Sequence, residues 1–495
     1  MEREPKQFWH DIVALTNPLA GTAESLRIPL FTGLLDTQKV PLAREVYRLA
    51  MAVRSFVGTG HGTFPDAQPG QILLFFPHQT PSNMRNLLPV AREAYRKNRL
   101  GGIVTAGVFP EVLREFAGCV PIVTMNQLLG RSPVRETLLQ AIEARRIFSS
   151  ISAALEAYDP SVAGCFRRKF GTFAREVTAA VQSADAFRHL LAAWRPACVA
   201  STSDMWPAEF QMACQASRMG IPSAVIQHGT VSQHWWPFVA SFYILWGERF
   251  LRDMVAFGAP AERLLLCGMP ASDGLFELAD ALKDERPNDS PAPVCLILSH
   301  THGLTLDPGL AEAFRRFLKE VVPSLPHIRW KVRLHPSEES AFYQGLGHDI
   351  YARLEFCPPS TRLEAAILES DVVTTLYSTA GLEAMILGRA LIVPSLSERV
   401  PELAWWPHFG GGMYVHTPQE FAQRLGELTS NPHCRSSQLA RQREFLKGCF
   451  VNHGHAAEAI VDILGHFVIS HSCADRDGDS RDLRPTISDG RLAVP

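Results

Sequence analysis

Between residues 294 and 393, three apolar runs each break off into a polar turn and then a helical pattern. They read VCLILSHTHG, WKVRLHPSEES and DVVTTLYSTAGLEAMILGRALIV. Short continuous apolar runs alternating with helices are the rhythm of a parallel sheet, whose strands are buried on both faces. In an open sheet of this kind, ligands bind beyond the carboxyl ends of the strands. Here those ends carry hydroxyl, imidazole or small side chains. A second array lies upstream, from QILLFF through GGIVTAG, CVPIVTM, PACVAST, SAVIQHG and SFYILWG to RLLLCGMP. The pattern predicts an α/β fold with two parallel-sheet arrays facing across a cleft and helical insertions in the N-terminal part.

At 495 residues the chain is long enough for two such cores. The N-terminal domain is expected over 1–277, with helical elaborations in 1–68 and 131–195. The polar, Pro-rich segment DALKDERPNDSPAP suggests a linker at 278–293. A C-terminal domain is expected over 294–470. The polar, aperiodic residues 471–495 read as a disordered tail.

A formal net charge of −2 gives no electrostatic case for nucleic-acid binding. Arg167, Arg168 and Lys169 form a small basic patch that reads as a solvated helix face, with a membrane-surface contact as the alternative. The opening MEREPKQFWHDIVAL lacks the apolar core of a signal peptide, and no run reaches the roughly 18 apolar residues of a membrane span. The ten cysteines show no CxxC spacing. Cys198, Cys267 and Cys295 sit in apolar runs, so reduced core cysteines and a cytoplasmic location are expected.

The richest constellation is Arg333-Leu334-His335-Pro336 at a strand end. An imidazole there can donate to a leaving phosphate, and Pro336 ends the strand so that the ring is presented outward. Tyr377 to Ala384, YSTAGLEA, runs from a strand into a helix. Unpaired N–H groups at that helix start favour an anion, and Ser378 and Thr379 add hydroxyls. Plain N-capping by either residue is compatible with this role. Ala380 and Gly381 complete the turn, and Glu383 can reach a ribose hydroxyl. Ser299-His300-Thr301-His302-Gly303 closes the first strand of the second array. Its H-x-H pair lacks the further ligands of a zinc site and reads as a polar ligand-contacting loop.

In the first array Gln227-His228-Gly229-Thr230 follows a strand, with Gly229 expected to allow a tight turn. His228 is a candidate general base or acceptor-positioning group. Asp204 is a competing base, and it lies with Glu209 in the segment after PACVAST. His78, after QILLFF, is a candidate acceptor contact. The aromatic clusters at Trp235-Trp236 and Trp405-Trp406 read as packing or as stacking surfaces.

IPSAVIQHGT, YILWGE, LLLCGMP, VRLHP and YSTAGLEAMILGRALIV, in this order over about residues 195 to 395, carry a resemblance. The chain resembles GT-B glycosyltransferases of bacterial capsule and lipopolysaccharide assembly, and is similar to teichoic-acid glycerophosphotransferases and bacterial sialyl and Kdo transferases. The resemblance implies a GT-B fold of two Rossmann-like domains facing across a cleft, with the donor bound mainly by the C-terminal one and no metal or cofactor needed. It assigns nucleotide and phosphate contacts to His335 and Pro336, phosphate contacts to Ser378 and Thr379, and a base role to His228 beside Gly229. Sialyltransferases also carry paired acids followed by glycine. This chain has no counterpart, since Ser272-Asp273-Gly274 lies too near the linker.

The expected reaction is therefore sugar transfer from a nucleotide donor, a CMP-sugar favoured, to a glycan or glycolipid acceptor at the inner face of the membrane. The alternatives are a CDP-alditol phosphotransferase, a nucleotide-sugar 2-epimerase and a non-catalytic nucleotide-sugar-binding protein.

Overall fold

The computed structural model describes residues 65–129, 183–184, 186–204, 207–229, 238–282, 292–300, 308–335, 340–396 and 411–477. It also describes positions 149, 153, 156, 157, 231, 235 and 338, and the short strands 486–488 and 491–493. The helical segments expected before residue 65, most of 131–182, and the Trp405-Trp406 cluster lie outside these residues. By contact the chain divides into two units, one of Met1–Leu245, Leu251–Pro270 and Ala457–Pro495, the other of Trp246–Phe250 and Ala271–Ala456.

The first unit holds seven parallel strands: β1 (Ile72–Phe76), β2 (Leu100–Thr105), β3 (Ile122–Thr124), β4 (Cys198–Ser201), β5 (Ser223–Ile226), β6 (Phe242–Leu245) and β7 (Leu264–Leu266). Their order is β3-β2-β1-β4-β5-β6-β7. In β1 every residue is buried. Ile72, Leu74 and Phe76 face one core while Leu73 and Phe75 face another, which is why the run shows no polar alternation. Burying each such side chain is worth about 2 kcal/mol. Gly102 in β2 is required by packing, because a side chain there would run into the Trp194 ring.

Helices α1 (Pro81–Arg96), α2 (Pro110–Phe116) and α3 (Pro207–Arg218) follow β1, β2 and β4. Thr80 caps α1 by accepting from the Asn83 N–H at 3.3 Å, and Pro81 occupies the first turn, where a missing N–H costs nothing. Gly220 ends the turn after α3 with φ +70°, a conformation that glycine tolerates best.

The second unit holds β8 (Val294–Leu298), β9 (Arg329–Arg333), β10 (Leu354–Phe356), β11 (Val372–Thr374), β12 (Ala390–Pro394) and β13 (Met413–Val415). The order is β10-β9-β8-β11-β12-β13, again all parallel. Helices α4 (Pro308–Ser324), α5 (Ala380–Ile386), α6 (Pro418–Ser430) and α7 (Pro432–Cys449) belong to this unit. Phe314, Phe317 and Val321 of α4 share a core with Trp330 of β9 and with Phe421 and Leu425 of α6.

Counted within each unit, both sheets follow the order 3-2-1-4-5-6, with a seventh strand added beside the sixth in the first, the doubly wound Rossmann pattern. The switch points fall between β1 and β4 and between β8 and β11. The chain's last long helix, α8 (Ala456–Asp477), belongs with the first unit up to its described side chains. Ala457, Ile460, Val461 and Leu464, at helical spacing, enter that unit's core. Asp462 holds Lys97 at 2.7 Å and Arg99 at 3.1 Å. A short antiparallel pair, Thr486–Ser488 with Arg491–Ala493, follows.

Cys198, Cys267 and Cys295 are fully buried free thiols. Burial pushes the Cys198 thiol up to about 12, so it is inert at neutral pH. Among the described residues no helix is long and apolar enough to cross a membrane.

Candidate functional site

The second sheet's switch point is built from the residues just past β8 and β11. Ser299 and His300 leave β8 and are each only 4% exposed. The Leu376 N–H donates to His300 Nε2 at 3.2 Å, so that nitrogen is an acceptor and the ring proton sits on Nδ1. The Thr375 hydroxyl lies 3.0 Å from the same nitrogen and donates to the Leu298 carbonyl at 3.1 Å. The ring packs on Tyr377 at 4.3 Å. His300 therefore braces the turn that follows β11. In that turn Thr375 Oγ1 accepts from the Ser378 N–H, and Ser378 Oγ accepts from the Ala380 N–H, both at 3.3 Å. Thr379 stands at the N-cap of α5 without making a side-chain cap bond. Gly381 and Glu383 are buried within α5.

His335 lies after β9, one strand to the other side of β8. It is an exposed residue whose ring is partly desolvated by its surroundings, which lowers its pKa, while Glu338 acts in the opposite sense. Glu338 ties the two strand ends together. One carboxylate oxygen accepts from the His335 N–H at 3.2 Å and the other from the Ser299 hydroxyl at 2.9 Å. The buried Tyr343 hydroxyl donates in turn to Ser299 Oγ at 2.6 Å. The Arg333 guanidinium donates to the Pro358 carbonyl at 3.0 Å. Thr301, His302, Gly303 and Pro336 lie outside the described residues. With β8 between them, the strands β9 and β11 that lead into His335 and Ser378 run two strand spacings apart, about 10 Å. The Ser299-His300 pair is bonded toward both.

The first sheet offers a different set. His228, after β5, donates its Nδ1–H to the Thr202 carbonyl at 2.7 Å and stacks on Trp235 at 5.8 Å. Nε2 is then the nitrogen left to accept, and nothing among the described residues bonds it. Desolvation first, with the charge of His78 in addition, pulls His228 down to about 4, against a partial upward effect of the Thr202 bond. The ring is therefore neutral at physiological pH. The Ser82 hydroxyl donates to the His228 carbonyl, and the Thr202 hydroxyl to Asn83 Oδ1, which ties α1 to both loops. Gln227 is buried and donates to the Gly229 carbonyl at 2.9 Å. Gly229, at a bend, is not in a left-handed conformation. The place a side chain would take there is empty for 4 Å. Thr230 lies outside the described residues.

Asp204 is 2% exposed, and its Oδ2 accepts from the N–H groups of Val239 and Ala240, both at 2.9 Å, and from the Tyr243 hydroxyl. Burial raises its pKa, and these bonds counter the rise. This is the geometry of a carboxylate that pins the entry to β6. His78, after β1, has Nε2 3.2 Å from Oε1 of the buried Glu209. Sequence reading passed over Glu338, Tyr343 and the His78–Glu209 contact. The one available signal was Glu338 lying three residues beyond His335, a spacing at which a side chain can turn back onto a backbone N–H. Among the described residues no three His, Cys, Asp or Glu side chains are grouped as metal ligands would be.

No family model and no curated protein matches this chain in sequence. Solved structures do match it in fold. A UDP-GlcNAc 2-epimerase from Neisseria meningitidis, bound to UDP-GlcNAc, is 14% identical with a TM-score of 0.51, covering 80% of this chain and 100% of its own. A glycosyltransferase from Rickettsia africae ESF-5 is 10% identical with a TM-score of 0.51, covering 81% and 99%. The fold, two parallel α/β sheets of seven and six strands, is GT-B-like.

Proposed function

We propose that the chain is a nucleotide-sugar-dependent glycosyltransferase whose second unit holds the donor's nucleotide and phosphates. The observation that carries this reading is the Ser299-His300 pair at the switch point between β8 and β11, hydrogen-bonded toward both the His335 loop and the Ser378 turn. Ser378, Thr379 and His335 supply donors for phosphate oxygens. Glu338 and His300 fix the loops that carry them, so little reorganisation is needed as charge develops. Arg333 adds positive potential, and Glu383 remains the candidate for the ribose.

The first unit supplies the proton acceptor. His228 is held by Thr202 with Nε2 unprotonated, the form that can take a proton. The acceptor oxygen bonds to the sugar's anomeric carbon and its proton passes to His228 Nε2. The bond from that carbon to the phosphate oxygen breaks, and the nucleotide leaves with the electron pair. Asp204 serves this step by holding the loop before β6. His78, Gln227 and Gly229 border the acceptor side, where the open space at Gly229 admits close approach.

The experiment is nucleotide release from a panel of CMP-, CDP-, UDP- and GDP-activated sugars and alditols, with and without glycan or glycolipid acceptors. Acceptor-dependent turnover of one sugar donor supports transfer. The fold likeness to an epimerase is the reason for a second reading, conversion of the donor to its C2 epimer without acceptor. Turnover of no donor in either form contradicts both.

A further inference from the structure

Ser299 Oγ, just past the end of β8, joins two hydrogen bonds whose directions are fixed by chemistry. A serine hydroxyl has one proton to give and two lone pairs that accept. A carboxylate only accepts, so the Ser299 proton goes to Glu338 Oε1, at 2.9 Å. The buried Tyr343 hydroxyl, in the short helix Ala341–Gln344, must then be the donor in its 2.6 Å contact with Ser299. Glu338 accepts once more at its other oxygen, from the His335 N–H at 3.2 Å. The Glu338 N–H returns a bond to the His335 carbonyl at 2.9 Å. The turn 335–338 is therefore closed twice on itself, by backbone and by side chain. Ser299 is the link that ties this closed turn to β8, and Tyr343 pins the far end of the same segment to the same oxygen.

Ser299 stands beside the proposed phosphate contacts, and the sequence alone suggests that it touches the donor. Its single proton is already committed to Glu338, so none is left for a phosphate oxygen. We propose that Ser299 and Tyr343 are positioning residues of the donor site: they hold Glu338 where it fixes the His335 turn, and the nucleotide is met by His335 and not by Ser299. The ligand in this inference rests on the donor-site reading above, whereas the network is a property of the free protein.

The test separates positioning from folding. Ser299→Ala leaves the Tyr343 hydroxyl buried without a partner, which lowers thermal stability. Adding Tyr343→Phe removes that orphaned group, so Ser299→Ala/Tyr343→Phe should regain much of the loss. Nucleotide affinity should not follow. Calorimetry of the full-length protein with each of CMP, CDP, UDP and GDP is expected to show about tenfold weaker binding in both variants. Affinity that recovers together with stability would make the network a folding element only and overturn the proposal. In a His335→Ala background Ser299→Ala should weaken binding no further. Full additivity there would mean that Ser299 touches the ligand itself, and would also overturn it. Without nucleotide, amide exchange over 333–338 should quicken in Ser299→Ala, and unchanged exchange contradicts the proposal. Should Ser299→Ala fail to fold, the double variant carries the same measurements. If no nucleotide binds wild-type protein, the donor-site reading falls, while the exchange result still decides whether Ser299 holds the His335 turn.

Discussion

The two strand-end sites are made by the same topology and are chemically unlike. The edge after β8, β9 and β11 presents hydroxyls, backbone N–H groups and an exposed imidazole, with the Glu338 carboxylate turned onto Ser299 and the His335 backbone. That is a donor-rich surface suited to an anion. The edge after β1, β4 and β5 buries its carboxylates, Asp204 and Glu209, and keeps His228 neutral. That surface is suited to accepting a proton. The Rossmann order explains why both sites lie at strand ends. Only the loop residues decide what each can do.

If the division of labour is real, variants on the two edges should fail in different ways. The largest effect is expected for His228→Gln, about 10³-fold lower kcat with nucleotide affinity unchanged by calorimetry. Loss of nucleotide binding instead would erase the distinction between the edges.

His228 also gives the first edge an acid sensitivity. Its folded pKa lies below its ordinary value of 6.5, so its contribution to stability is complete above 6.5 and is lost as pH falls toward about 4. The loss amounts to at most about 3 kcal/mol. Denaturant titrations across this window should show His228→Gln with a flatter pH dependence than wild type.

On the second edge His335→Ala should lower kcat/KM by about 10²-fold, the scale of one lost phosphate-stabilising donor, while the His228 titration stays unchanged. Full activity in a folded variant would remove His335 from the mechanism. The smallest effect is expected for Glu338→Gln, which weakens the clamp on Ser299 and the His335 loop. About tenfold weaker nucleotide binding, with little change in thermal stability, separates positioning from folding.

The strands found in the sequence are those whose apolar or alternating run ends in a polar turn before a helical pattern, the continuous runs of β1 and β8 above all. β10 and β13 escaped because LEF and MYV are too short to show a period. The strand-end positions of His228, His335 and Ser378 were legible because each follows a short strand-like run, SAVIQ, WKVRL or DVVTTL, and precedes a polar turn. Partners were not. Asp204 reads equally as a base, a cap or a strut, and the hydroxyl that identifies it as a strut belongs to Tyr243, on another strand. Glu338 sits in SEES, where composition alone suggests a solvated turn. The His78–Glu209 contact depends on β1 and β4 being neighbours, and they are separated in sequence by β2, β3 and more than 120 residues.

The central claim is that the nucleotide binds at the carboxyl edge of the second sheet. Backbone hydrogen–deuterium exchange with and without each of CMP, CDP, UDP and GDP tests it directly. The account predicts that one nucleotide slows exchange at 299–300, 333–338 and 375–381, and that His335→Ala weakens this protection. Protection confined to the β1, β4 and β5 strand ends, or none with any nucleotide, would contradict it.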